Sequence, residues 1–277
     1  MEKRIDNDGV KNMEDTDIEF YTESTIEKVH PWRLCPIGSH YVREHQEHIP
    51  PSKKHPNGEI IIRHAHCAHN PLGKHQRPIN DILSFGELKA IAQARFSDLK
   101  GPPKANVLDY PRADEFDEQI RGWVIYWNEV FDAQILLDPN LVKALIASES
   151  SFKPESTNAK NPRKIGTARG LMQLTDQTLR ILHNQEDGLK DHFIYLSHME
   201  VMEPSANICA GVRLLFLKKA GAKERYAKID PTHRVTWEDA VAEYKGVLAG
   251  ILDKGNPHPD PEHKMPRFRS IYEKFQE

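Results

Sequence analysis

Cysteine is scarce in this chain, and no apolar run is long enough to cross a membrane. The 277 residues include only 3 cysteines, and a low, odd count is not the pattern of a small secreted fold stapled by disulfides. A membrane-spanning helix needs about 20 consecutive apolar residues, so no membrane span is predicted. The formal net charge of -3 gives no reason to expect nucleic acid as a partner. A soluble chain with one mid-sized domain and a smaller module is predicted.

The N-terminal residues lack the pattern of an ordinary secretory signal. Residues 1–27 hold nine acidic and three basic residues, and no basic segment there precedes an apolar one. This composition predicts an acidic, disordered arm over residues 1–28 and synthesis in the cytoplasm without a classical signal peptide.

Histidine and cysteine are concentrated in residues 29–72. Eight of the 15 histidines and two of the 3 cysteines fall there. Two similar stretches, residues 41–45 and 61–66, place β-branched side chains before Arg and His. The turn-forming pair Asn57-Gly58 lies between them. We predict a small β-hairpin module over residues 29–72.

Four residues of this module have the side chains of a Cys2His2 zinc site. They are Cys35, His40, His66 and Cys67. Their spacing matches no zinc-finger pattern, so several interpretations stay open. The set could bind a structural zinc ion. The segment could equally be a solvated His-rich hairpin, with the two cysteines bonded or free, or a surface that docks onto another protein.

The rest of the chain has helical spacing. Residues 73–115 are predicted to be a helical linker, with one helix running from Asn80-Asp81 toward Leu99. Residues 116–277 are predicted to form a mainly helical domain, because apolar residues recur there at spacings of three and four residues and no long alternating strand pattern occurs. Trp123, Trp127 and Cys209 are interpreted as core residues. Further helices are predicted at 174–184, 205–219 and 236–252.

One predicted helix carries a glutamate at the end of its apolar face. Asp138-Pro139 has the form of a helix start, and Pro154 forbids continuation. Glu149 shares one face with Val142, Leu145 and Ile146. Burial and the negative end of the helix both favour a protonated carboxyl, which is the state that a general acid needs. The alternative is a glutamate at a frayed helix end, paired with a backbone N–H or a lysine.

Four segments resemble, in order, the signatures of the soluble lytic transglycosylases, which are lysozyme-like enzymes that cut peptidoglycan. They are residues 141–154, 170–173, 204–212 and 240–246. The resemblance implies a lysozyme-like helical domain, Glu149 as the single catalytic acid, and no cofactor for catalysis. It also implies a set of substrate-binding residues. These are Gln173, Tyr244, Met172, Gly170, Ser150 and Thr175.

The sequence departs from the family pattern in three places. Thr167-Ala168-Arg169 precede Gly170 where the family usually has Gly-Ala-Ser. Residues 158–165 look like an insertion before the second signature. Lys245 follows Tyr244 where the family usually has Asn, so the polar contacts beside Tyr244 differ from those of the family.

The resemblance implies cleavage of the β-1,4 bond between N-acetylmuramic acid and N-acetylglucosamine. In a lytic transglycosylase the muramic acid's own 6-hydroxyl is the acceptor, which gives a 1,6-anhydro product. A lysozyme-type muramidase would use water, and it ordinarily needs a second carboxylate, for which Asp176 is a candidate. A non-catalytic module that binds peptidoglycan, or a structural part of a phage-like or secretion particle, is the alternative of another class.

Peptidoglycan strands lie outside the inner membrane, so a chain made without a signal peptide needs another route. We expect specialised secretion, such as a type VI apparatus, or assembly into a phage-like particle, with the N-terminal module as the docking part. An antibacterial effector of this kind would have a cognate immunity protein.

Overall fold

A computed structural model gives the fold and describes residues 30–72, 79, 81–159, 165–183, 189 and 191–277. The predicted acidic arm lies outside these residues, as do residues 160–164 of the predicted insertion. Within the described ranges, none of the helices is both long enough and apolar enough for a membrane crossing.

The described residues form a mainly helical fold with short strands paired two by two. The helices are α1 (Phe85–Arg95), α2 (Asp117–Val130), α3 (Pro139–Ser150), α4 (Asp176–His183), α5 (Pro204–Ile229), α6 (Trp237–Tyr244), α7 (Leu248–Leu252) and α8 (Lys264–Glu273). The strands are β1 (Ser39–Val42), β2 (His45–Ile49), β3 (Glu59–Arg63), β4 (His66–His69), β5 (Ile82–Ser84), β6 (Thr157–Asn158), β7 (Ala168–Arg169) and β8 (Phe193–Tyr195).

The N-terminal module is a long hairpin built from two consecutive pairs of strands. Strand β1 pairs with β4, and β2 pairs with β3, both antiparallel. Gly58 has a φ of 71° beside the start of β3, and an added Cβ would lie 2.9 Å from the carbonyl oxygen of Ile49. Only glycine fits this turn without strain. The predicted hairpin is therefore confirmed.

The two cysteines of the hairpin are joined by a disulfide, with their Cα atoms 5.7 Å apart. His40 Nδ1 lies 3.0 Å from Asn70 Oδ1 instead of facing a sulfur. The described residues hold no group of three or more side chains that could bind a metal. Sulfurs bonded to each other are not thiolate ligands, so a zinc site at Cys35, His40, His66 and Cys67 would need the reduced chain and stays a prediction.

A buried cluster of charges fastens the module to α1. The Arg33 guanidinium donates to Glu87 Oε1 at 2.8 Å and also pairs with Asp81. Glu87 Oε1 accepts the backbone N–H of Leu34 at 2.8 Å as well. Because the charges are paired and hydrogen-bonded, they can remain ionised inside the protein.

The segment predicted as a linker belongs in part to the common core. The helix predicted from Asn80-Asp81 starts later, at Phe85, because Ile82–Ser84 form a strand parallel to β8. Leu88, Ile91 and Phe96 are buried in the same hydrophobic cluster as the C-terminal helices. The predicted helix start was wrong because β5 pairs with a strand more than 100 residues away, and local spacing does not reveal such a pairing.

Helix α5, with 26 residues, lies at the centre of the helical part. Trp123 Nε1 of α2 donates to Ser205 Oγ at 2.8 Å, and Trp127 Nε1 donates to the carbonyl of Cys209 at 3.0 Å. Both tryptophans and Cys209 are buried, as predicted. The two indole hydrogen bonds fix α2 against the first half of α5.

The C-terminal helices differ from the sequence prediction. The single helix predicted over 236–252 is divided into α6 and α7, and Gly246 between them has a φ of 71°. Helix α8 was not predicted. It packs against α3 and buries Met265, Phe268 and Ile271.

A fully buried lysine holds α2 and α3 together. Lys143 Nζ donates to Asp114 Oδ1 at 2.6 Å and lies 2.7 Å from Asp117 Oδ1. It also donates to the carbonyl oxygen of Lys104 at 3.0 Å. The ammonium is thus surrounded by three acceptors, and its loss would leave two carboxylates without their cation.

Lys143→Met should lower the free energy of unfolding by about 3–5 kcal/mol, because one partner of a buried ion pair is removed. Urea denaturation followed by circular dichroism would measure this. The control is Lys223→Met on the exposed face of α5, with an expected change within about 0.5 kcal/mol. Equal stability of the two variants would contradict the prediction.

Candidate functional site

Glu149 lies in the last turn of α3. The helix starts as predicted, since Asp138 accepts the N–H of Asn140 at 2.8 Å and Pro139 is at the first turn. It ends at Ser150, and the next residue, Ser151, has a φ of 53°, in the left-handed region. The side chain of Glu149 is 20% exposed, so it is accessible from solvent at the end of an otherwise buried helix.

The Glu149 carboxylate faces a cleft of about 440 Å³. Two predicted substrate-binding residues, Gln173 and Tyr244, line the same cleft. The remaining lining residues are Ser148, Asn158, Ile165, Ala168, Lys245, Glu262, Lys264 and Arg267. The fold therefore brings residues from the first, second and fourth motifs into one depression.

Asn207 of α5 holds the loop that carries the second motif. Its Oδ1 accepts the N–H of Met172 at 2.7 Å, and its Nδ2 donates to the carbonyls of Arg169 at 3.0 Å and Val201 at 2.8 Å. Gly170 has a φ of 75°, and an added Cβ would collide with the Asn207 amide. The need for glycine here is therefore both conformational and steric.

Tyr244 and Gln173 are held by the same loop. Tyr244 Oη donates to the carbonyl of Met172 at 2.6 Å. Burial and, second, the charge of Glu149 raise the pKa of Tyr244 well above its ordinary value, so its hydroxyl remains a neutral donor. Gln173 Nε2 donates to the carbonyls of Gly170 at 2.8 Å and Ser156 at 3.2 Å, so the backbone of this region holds its amide nitrogen.

The other predicted substrate-binding residues do not line this cleft. Met172 is fully buried and packs against Gly211. Ser150 Oγ donates to the carbonyl of Ile146 at 3.3 Å inside α3. Thr175 Oγ1 accepts the N–H of Thr178 at 3.1 Å at the start of α4. Like Gly170, these residues shape the elements around the cleft.

Lys245 forms an ion pair with Glu149. Its Nζ lies 2.5 Å from Glu149 Oε1 and donates to Ser148 Oγ at 2.9 Å. The lysine side chain is only 4% exposed. A glutamate paired with a lysine was the alternative interpretation of the sequence. In the structure Glu149 is paired with a lysine, as in that alternative, but the pair lies in the cleft beside Gln173 and Tyr244.

Asp176 does not lie in the cleft lining. It accepts the N–H of Thr167 at 2.9 Å and pairs with Arg169. Burial opposes its charge, but these hydrogen bonds outweigh burial and lower the pKa of Asp176. Asp176 thus fixes the loop before α4. The second carboxylate that lines the cleft is Glu262, which the sequence did not indicate because it lies beyond the four motifs.

A larger cavity of about 730 Å³ lies between α5 and the residues after α2. Phe131, Arg213, Phe216 and Trp237 are among its lining residues, and none of the predicted catalytic or substrate-binding residues is. Its larger volume therefore does not make it the better candidate site, because Glu149, Gln173 and Tyr244 line the smaller cleft.

Residues 131–246 match the family model of the transglycosylase SLT domain. The match includes Glu149, Gln173, Tyr244 and Lys245, and it ends before Glu262 and α8. No curated protein matches the chain significantly.

Asn207→Ala should lower stability by about 2–4 kcal/mol, because the buried N–H of Met172 and two carbonyls lose their partners. Thermal unfolding would measure the loss. Gln134→Ala is the control, since Gln134 is exposed and makes one hydrogen bond of 3.5 Å. An Asn207→Ala protein as stable as this control would show that the amide is not needed to hold the loop.

Proposed function

We propose that this chain, whose residues 131–246 match the transglycosylase SLT domain, is a lytic transglycosylase that acts on peptidoglycan and uses Glu149 as its single acid–base. The bond cleaved is the β-1,4 link between N-acetylmuramic acid and N-acetylglucosamine. The observation that carries the proposal is the Glu149 carboxylate, which faces the cleft together with Gln173 and Tyr244.

The chemistry needs one group that first gives and then takes a proton. Protonated Glu149 donates to the glycosidic oxygen as the bond to the anomeric carbon breaks through an oxocarbenium-like state. The Glu149 carboxylate then removes the proton from the 6-hydroxyl of the same muramic acid. The freed oxygen bonds to the anomeric carbon and gives the 1,6-anhydro ring. No external water is consumed.

Lys245 contacts the acid of this scheme. Its Nζ lies 2.5 Å from Glu149 Oε1 and donates to Ser148 Oγ at 2.9 Å, so the lysine restricts the position of the carboxyl group within the cleft.

A muramidase that uses water is the near alternative, and Glu262 is the cleft carboxylate that could activate it. Asp176 is engaged by Arg169 and by the Thr167 N–H, which disfavours it for that role. Lys245 and the insertion favour a non-catalytic peptidoglycan-binding module, but such a module has no need of an acid at the position of Glu149. We therefore favour the lyase.

The proposal extends to the place of action. Glycan strands lie outside the inner membrane, so we propose an antibacterial protein exported by specialised secretion and blocked in the producing cell by an immunity protein. Wild-type protein directed to the periplasm of a Gram-negative host should lyse the cells, whereas Glu149→Gln should not. Survival of cells carrying the wild type there would contradict this extension.

Glu149→Gln should reduce the release of anhydro-muropeptides from purified peptidoglycan by at least about a hundredfold, because the amide cannot donate and retake the proton. Mass spectrometry of the products would measure this. Glu155→Gln, at an exposed residue of the same segment, should retain activity.

Glu262→Gln distinguishes the two reactions. The lyase should retain its anhydro products in this variant, whereas a muramidase that depends on Glu262 should lose its reducing-end products. Reducing-end products from the wild type would overturn the lyase assignment. No release of either product would overturn the enzymatic proposal.

A further inference from the structure

Helix α8 brings two cations to the cleft from outside the part of the chain matched by the family model. Lys264 and Arg267 lie one turn apart on α8, so they share a face of the helix, and both line the cleft that contains Glu149. The match ends at residue 246, and the family relationship therefore assigns no role to either cation.

The side chains that line the cleft include three cations and two carboxylates, so one positive charge is in excess. Lys245 pairs with Glu149 at 2.5 Å, and Lys264 lies 3.9 Å from Glu262. Arg267 is exposed and makes no side-chain hydrogen bond or ion pair with the described residues. One guanidinium thus faces the cleft without a counter-charge, and its planar fork fits a carboxylate with two parallel hydrogen bonds.

The start of α8 is held in place by hydrogen bonds within the protein itself. Asp260 accepts the backbone N–H of Lys264 at 3.0 Å and that of Met265 at 2.8 Å. At the other end, Tyr272 Oη donates to Asp138 Oδ2 at 2.9 Å, at the start of the helix that carries Glu149. The helix backbone is therefore held relative to α3, which reduces the ordering cost of binding.

We propose that Arg267, assisted by Lys264, forms a subsite for a carboxylate of the glycan substrate. This inference rests on the proposed function. Peptidoglycan offers two sources of this group: the carboxylates of the peptide stem, and the lactyl carboxylate of muramic acid that becomes free when the stem is removed. Chitin oligosaccharides have the same sugar backbone and no carboxylate.

The test measures binding in the Glu149→Gln background, which prevents turnover, with and without Arg267→Gln. The probes are peptide-bearing glycan oligomers, the same oligomers stripped of peptide, and a chitin oligosaccharide of equal length. Arg267→Gln should weaken binding of at least one carboxylate-bearing probe by about five- to tenfold and leave chitin binding within about twofold. Loss on the peptide-bearing probe alone identifies the carboxylates of the stem, and loss on the stripped probe alone identifies the lactyl carboxylate. Loss on both shows that the subsite accepts either carboxylate.

Arg269→Gln is the matched control on the same helix, because Arg269 donates to Glu238 at 2.9 Å and does not line the cleft. Equal affinity of the two Arg267 forms for every probe would overturn the subsite and leave the proposed function intact. An equal loss on all three probes, chitin included, would also overturn it, since the effect would not depend on a carboxylate. Failure of the Glu149→Gln protein to bind any probe would overturn both.

Discussion

The amide of Asn207 is the contact on which the site depends. It joins the central helix α5 to the loop of the second motif through three buried hydrogen bonds. That loop presents Gln173 to the cleft, and the carbonyl of Met172 receives the hydroxyl of Tyr244. Tyr244 precedes Lys245, which reaches Glu149. These hydrogen bonds, together with the peptide link between Tyr244 and Lys245, therefore connect the central helix to the carboxylate.

The residue that departs from the family pattern is the one that contacts the carboxylate. Where the family usually has Asn after the tyrosine, Lys245 brings a nearly buried ammonium within hydrogen-bonding distance of Glu149. A neutral amide could form a hydrogen bond with the carboxylate but would carry no charge. The substitution therefore places a cation beside the carboxylate that faces the cleft.

Local signals in the sequence were sufficient for the helix that carries Glu149. Asp138 and Pro139 indicated its start, the apolar spacing indicated its buried face, and Pro154 indicated its end, because capping and periodicity are properties of neighbouring residues. The same signals could not give the Glu149–Lys245 pair, whose members are 96 residues apart. They also missed strand β5 and helix α8. Each of these depends on a partner that is distant in the sequence, so short-range pattern alone could not reveal it.

The N-terminal module and the proposed substrate point to the same environment. The disulfide between Cys35 and Cys67 crosses the base of the hairpin, two residues after Arg33 enters the buried cluster with Glu87. Disulfides form and persist in oxidising compartments, such as the bacterial periplasm, and are reduced in the cytosol. Peptidoglycan lies in that compartment as well. The hairpin is therefore expected to be disulfide-bonded in such a compartment, and its attachment to α1 makes it part of the same fold as the cleft.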